Sequence, residues 1–302
     1  MNILITGATG FIGTKLCRTL ALQGNRVTAL SRDANRAKNQ ISELSAAYDW
    51  NPESEPAPRE ALEGIEAVIH LLGESVVGRW TLAKKTAIHK SRVASTRNLV
   101  ATLGSLNSRP HTLISASAIG YYGDRMDEKL TEDSAPGSDF LANVGQEWEM
   151  EACKAEDHGI SVSRLRIGIV LGLGGGALGA MLLPFRFGLG GPLGSGQQWW
   201  SWIHLDDLIG LVNHLLKNNH SGAVNAVAPS PVRQKQFARA LGDALSRPAL
   251  LPTPAFALKL IMGEFASELL SSKLVLPATA RQSGYTFRYP DLENALSDLL
   301  NQ

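Results

Sequence analysis

The segment SASAIGYYGD, residues 115–124, places two serines and two adjacent tyrosines after an apolar run, HTLI. Hydroxyls at the end of a strand suit acid/base chemistry, with Tyr121 or Tyr122 as proton carrier and Ser117 beside it. Each tyrosine has a second role open to it, packing its ring while its hydroxyl stays hydrated. A different chemistry is written at the N-terminus. TGATGFIG sets Gly7, Gly10 and Gly13 in a G-x-x-G-x-x-G spacing. The loop lies between an apolar run (2–6) and a helical pattern (11–23). Glycines there permit a tight turn and bring backbone N–H groups up to a pyrophosphate. The helix N-terminus adds its partial positive charge. Gly7, Thr9, Gly10, Phe11, Ile12 and Gly13 are the expected contacts.

The next apolar run ends in ALSRD. A site for NAD usually carries an acid at this point for the ribose hydroxyls. Here Ser31 and Arg32 stand instead, a hydrogen-bond donor and a cation suited to a 2′-phosphate. The expected cofactor is therefore NADP(H). Asp33 is read as the N-cap of the following helix. Arg36 is either a further phosphate contact or a solvated helix charge.

These groups need elements to hold them. The apolar runs 2–6, 26–30, 67–72, 111–117, 161–171 and 223–228 read as strands. Helical patterns fall between them: 11–23, a patch near 33–44, 81–104, 139–158 and 205–216. AVIHLL shows no alternation, as expected of a strand covered on both faces. Such β–α alternation predicts an α/β fold, a Rossmann-type doubly wound parallel sheet with right-handed crossovers. After residue 172 the texture turns glycine-rich, then proline-marked. The reading is a dinucleotide-binding domain over 1–172 plus parts of 200–228. A smaller mixed α/β substrate-side lobe is built from 173–199 and 229–302.

Composition narrows the class. The 302 residues are 44% hydrophobic and 19% charged, with a net charge of +1. Nothing in that balance favours nucleic acid or a membrane surface. The two cysteines, Cys17 and Cys153, form neither a disulfide framework nor a zinc cluster. No histidine pair has metal-ligand spacing, so no metal is expected. With no leader pattern before MNILITG, the expectation is a cytoplasmic protein. It would act on a small molecule, as a monomer or homodimer.

TGATGFIG, HLLGES, SASAIGYYGD and WIHLDDL together resemble an extended short-chain dehydrogenase/reductase. The whole chain is similar to one atypical branch, the YfcH-like nucleotide-sugar epimerase family. HLLGESVVGRW, FRFGLGGPLGSGQQWWSWIHLDD and the tail LLPTPAFALKLIMGE…LPATARQSGYTFRYPDLENAL carry that likeness. The tail, about 250–300, resembles the family's small C-terminal domain of unknown function. The resemblance implies cofactor contacts at Leu72, Gly73 and Glu74, and at Arg92, where ordinary relatives have asparagine. It implies Ser117 beside the nicotinamide and substrate contacts at Ser195 and Gln197.

Ordinary members also use a Tyr-x-x-x-Lys on the helix after the fifth strand. Here that helix reads FLANVGQEWE, with Leu141 at the tyrosine position and Gly145 at the lysine position. Neither can move a proton. Tyr121, Tyr122 or a water-linked Glu74 are the remaining carriers.

Other residues have plainer alternatives. Glu74 suits a base, a ribose contact or a solvated loop acid. Trp80 suits a pocket cap or core. His70 reads as a hydrogen-bonded core residue, and Asp206 or Asp207 as a helix cap. Trp200 and Trp202 share one face of a strand. Two functions follow: an NADP-dependent epimerase or oxidoreductase acting on a nucleotide sugar, or a non-catalytic NADPH-binding regulator or scaffold. The resemblance links the second to cell division.

Overall fold

A computed structural model describes residues 1–300. The chain begins with β1 (Asn2–Thr6), α1 (Phe11–Leu22), β2 (Arg26–Ser31), α2 (Ala34–Gln40), β3 (Ala46–Asp49) and β4 (Ala67–His70). It continues with α3 (Leu82–Gly104), β5 (Thr112–Ala118), β6 (Lys129–Leu130), α4 (Phe140–Cys153) and β7 (Ser161–Ile167). The later elements are β8 (Ile169–Leu171), α5 (Gly176–Arg186), β9 (Trp199–Trp200), β10 (Trp202–His204), α6 (Leu205–Lys217), β11 (Gly222–Ala226) and β12 (Val232–Arg233). The last are α7 (Gln234–Ala244), α8 (Ala255–Met262), α9 (Phe265–Leu270), β13 (Leu274–Val275), α10 (Ala278–Gln282) and α11 (Leu292–Leu300).

Seven strands form one parallel sheet in the order β11-β7-β5-β4-β1-β2-β3. The expected Rossmann-type doubly wound fold is present. The strands lack alternation because both faces are dry. Ile3 and Ile5 of β1 face a core completed by Leu16 and Leu20 of α1 and Leu208, Leu211 and Leu215 of α6. Leu4, between them, faces the opposite core with Leu99, Val100 and Leu103 of α3. Neighbouring residues in a strand point to opposite faces, so each must be apolar.

Two elements depart from the sequence reading. The helical patch near 33–44 ends at Gln40, and β3 follows it. The strand expected over 161–171 is two strands. After Ile167 the chain leaves the large sheet, and β8 pairs with β10 instead. Gly168 is the switch: its N–H bonds Ala226 O, while Ile169 N bonds Ser201 O. A Cβ at Gly168 would lie 2.6 Å from the Ser201 carbonyl oxygen.

A third core, with Trp200, Trp202, Phe237, Leu241 and Leu296, lies in the segments after β8. β13 pairs with β6, so the C-terminal segment is stitched to the first half of the chain. Asp207 anchors it as well. Its carboxylate accepts from Arg288 N at 2.7 Å, Tyr289 N at 2.8 Å and the Tyr285 hydroxyl at 3.1 Å. The expected capping role of Asp206 or Asp207 is thus corrected. The cap of α6 is His204, whose Nδ1 accepts from Asp206 N. Asp206 pairs with Lys15 at 3.2 Å.

Candidate active site

The glycine loop is built for close backbone approach. Gly7 has φ +69°, and a Cβ there would lie 2.9 Å from the Leu71 carbonyl. A Cβ at Gly13 would overlap the Gly7 carbonyl oxygen. The N-cap of α1 is Gly10, so no side chain caps its first amides. A depression opens at that end, lined by Thr9, Gly10 and Phe11. The residues present therefore fit a pyrophosphate. Ile12 is half-buried behind the loop.

A cleft of about 580 Å³ lies at the strand ends, lined by Arg32, Leu72, Gly73 and Glu74. Ser31 does not line it; its Oγ accepts from Asp33 N at 3.2 Å. Asp33 caps α2 through Arg36 N at 2.8 Å, as expected. Arg36 also lies outside the cleft. The sequence reading missed residues 49–53, Glu55 and Ser91, which complete the wall. The first of these end or follow β3, which carries too little pattern to be read. Glu74 is held by Lys84 at 2.7 Å, and its N–H bonds Ser91 Oγ.

Beyond Gly73 lies a second cavity of about 260 Å³. Arg92 connects the two. Its guanidinium lies against Gly73, where a Cβ would come within 3.1 Å, and over the Trp148 ring at 5.2 Å. Burial pushes its pKa down to about 10, with Glu74 pulling the other way. It has no carboxylate within salt-bridge distance among the described residues.

Leu141 and Gly145, at the tyrosine and lysine positions that the resemblance implies, line this cavity. Tyr121 lines it too; its ring stacks under Arg166 at 3.6 Å and packs on Gly145. Two expected members stand elsewhere. Tyr122 is fully buried: its hydroxyl donates to Asn225 Oδ1 at 2.7 Å and accepts from Arg166 at 2.8 Å. Burial pushes its pKa up to about 12, against the pull of Arg166. Ser117 is buried as well and donates to Glu149 Oε1 at 2.7 Å; its neighbour Ala118 is the residue that lines the cavity. Strand alternation sends the two side chains to opposite faces.

Glu149 and Arg166 form a bidentate pair, at 2.7 and 2.8 Å, that supports β5 and α4 from behind. Burial works against the Arg166 charge, yet the Glu149 hydrogen bonds raise its pKa above the usual value.

Trp80 is outside the cavity. It packs on Phe140 at 5.2 Å and Phe265 at 5.8 Å, and its Nε1 donates to Val76 O. Val76 lines the cavity in its place. Ser195 and Gln197 line a separate surface depression with Asp127 and Arg233. Trp199 bridges the two, lining the cavity while its Nε1 donates to Asp127 at 2.9 Å. Glu268, Ser271 and Lys273 line the cavity and were not read from sequence, because a lone Lys or Glu in a helical tail carries no motif.

Comparison with known proteins agrees with this geometry. The model of the NAD-dependent epimerase/dehydratase family matches residues 3–227, and a domain of unknown function, DUF1731, matches 253–299. The epimerase family protein YfhF of Bacillus subtilis is 39% identical, over 99% of this chain and 98% of its own. The crystal structure of the human epimerase family protein SDR39U1 with NADPH superposes with a TM-score of 0.90 at 33% identity, covering 100% of both chains. The UDP-glucose 4-epimerase of Thermotoga maritima, solved with UDP-glucose, shares the fold alone. Its identity is 17% and its TM-score 0.81, over 100% of this chain and 98% of its own.

Proposed function

The chain belongs to the NAD-dependent epimerase/dehydratase family, and from that membership we propose that it binds NADP(H) and acts as an epimerase or oxidoreductase on a nucleotide sugar. The carrying observation is the juncture at Gly73. There the Arg32-lined cleft meets a cavity across the Arg92 guanidinium. The NADPH of the human relative supports the cofactor, and the UDP-glucose of the structural neighbour supports the substrate class.

The loop amides from Gly7 to Gly13 would hold the pyrophosphate, and Arg32 the 2′-phosphate. Arg92 would place its charge between pyrophosphate and cavity. When bound, the nicotinamide supplies hydride exchange. The chain's own part is to move a proton. Tyr121 is the one tyrosine lining the cavity among the described residues, and Arg166 stacked over its ring fixes the ring's orientation. Glu74 is committed to Lys84 on the cleft side. Calorimetric titration tests the cofactor: NADPH is expected to bind more tightly than NADH, and the reverse order would overturn the reading. Following nicotinamide absorbance with UDP-hexoses tests the chemistry. Silence across such a panel, with tight NADPH binding, would count against turnover.

One observation favours a second reading, an NADPH-binding regulator or scaffold. Leu141 and Gly145 fill the cavity wall where a proton-transferring pair would stand. A pull-down with and without NADPH separates the readings, because a sensor's partner must respond to the cofactor.

A further inference from the structure

The cavity wall contains one cluster that the chemistry above does not use. Glu268, at the end of α9, and Ser271 and Lys273 just beyond it all line the cavity. Lys273 is a rare residue for such a place, with its side chain 5% exposed. Its Nζ donates to Glu268 Oε1 at 2.9 Å and to Ser271 Oγ. An ammonium has three N–H groups, so one remains without a protein partner. Glu268 Oε2 likewise accepts from no group among the described residues.

The cluster is held rigidly. Lys273 N donates to Trp199 O at 3.2 Å, and Lys273 O accepts from Ser201 Oγ at 2.8 Å. Trp199 and Trp200 line the same cavity beside it.

We propose that Glu268, Ser271 and Lys273 are the sugar-recognition end of the cavity, and that they select an uncharged, hydroxyl-bearing ring over a carboxylate-bearing one. The proposal rests on the nucleotide-sugar reading. A free donor beside a free acceptor matches two neighbouring ring hydroxyls: one accepts from Lys273 and the other donates to Glu268 Oε2. The tryptophans give the apolar face of the ring a surface to pack on.

A sugar carboxylate meets the opposite situation. It has no proton for Glu268, and the Lys273 charge is already neutralised by the ion pair, so like charges would face each other. Arg92, the cavity's other cation, lies against Gly73 and Trp148 at the cofactor side. Asp127 and Arg233 pair with each other at 2.8 Å beyond Trp199.

Calorimetry on the full chain with saturating NADPH tests this, using UDP, UDP-glucose and UDP-glucuronic acid as probes. The expected result is UDP-glucose binding about ten-fold or more tighter than UDP-glucuronic acid. Glu268→Gln keeps an acceptor and removes the charge, so the ratio should fall to within about three-fold. Lys273→Met should weaken UDP-glucose and leave UDP unchanged. Because that change strands a carboxylate, Glu268→Gln/Lys273→Met is measured beside it, with NADPH affinity as the folding control.

Equal binding of the two sugars by the unaltered chain, or a ratio that Glu268→Gln does not move, would overturn the proposal and leave the nucleotide-sugar reading standing. Failure of UDP itself to bind would remove both.

Discussion

The two adjacent tyrosines differ by a single step along the chain, and that step decides their chemistry. Tyr121 reaches the cavity, whereas Tyr122 is locked between Asn225 and Arg166. Tyr121→Phe should lower any turnover by about 100-fold or more while leaving the melting temperature nearly unchanged. Tyr122→Phe should do the reverse. It strands a buried amide oxygen and a guanidinium donor, at a cost of about 1–3 kcal/mol in urea unfolding.

His70 carries a separate, pH-dependent signature. It is fully buried, with Nδ1 2.8 Å from Thr6 Oγ1 and Nε2 3.0 Å from Thr96 Oγ1. The Thr96 hydroxyl proton is committed to Arg92 O at 2.6 Å, so Nε2 carries the ring proton and Nδ1 accepts from Thr6. Burial pushes the pKa of His70 down to about 3 from 6.5. Below pH 6.5 the unfolded chain binds a proton that the folded chain refuses. Stability therefore falls as pH drops from about 6.5 towards 3, by about 1.4 kcal/mol per pH unit for a full proton. His70→Gln should flatten that part of the profile, seen by urea unfolding between pH 6.5 and 4.5.

At the scale of elements, the active site depends on a strand that changes sheets. Gly168 lines the cavity and sits where β7 ends and β8 begins. A methyl group there would press on the Ser201 carbonyl and the Val227 side chain, at 2.6 and 2.7 Å. Gly168→Ala is expected to cost about 1–3 kcal/mol. It should also weaken sugar-nucleotide binding more than NADPH binding, because Gly168 lines the cavity and not the Arg32–Gly73 cleft. Parallel calorimetric titrations would show the split.

This is also where sequence reading meets its boundary. SVSRLRIGIVL is apolar enough for one long strand, and only the partners of Ile169 reveal two. β3 was invisible for a related reason. AAYD is a short edge strand, half-buried over its first three residues, and it shows no alternation. The glycine loop was legible because much of its constraint is local: Gly7 needs a positive φ, and Gly13 answers to Gly7 and Ala8 in its own turn. Ser117 was misplaced because its motif fixes position along the chain but not which side of β5 it faces. Glu268 and Lys273 meet the cavity through long-range contacts, the pairing of β13 with β6 and the hydrogen bonds of Lys273 to Trp199 and Ser201.

For the whole molecule, the cavity is a joint product of the two halves, and Asp207 is the joint. It is 1% exposed, and it takes three hydrogen bonds from residues 285–289 of the C-terminal segment. Two of those donors are backbone amides, and the one on buried Tyr289 would be left unpaired at a cost of about 1–3 kcal/mol. Asp207→Ala should therefore loosen the segment that carries Lys273 without touching the Arg32–Gly73 cleft. Limited proteolysis is the direct measurement. The unaltered chain is expected to resist cleavage over residues 253–299, and the variant to be cut there first. NADPH affinity should stay within about two-fold while UDP-glucose affinity drops by about ten-fold or more, since only the second ligand needs both halves in place. If NADPH affinity falls in parallel, the C-terminal segment supports the cofactor cleft as well, and the division of labour argued here is wrong.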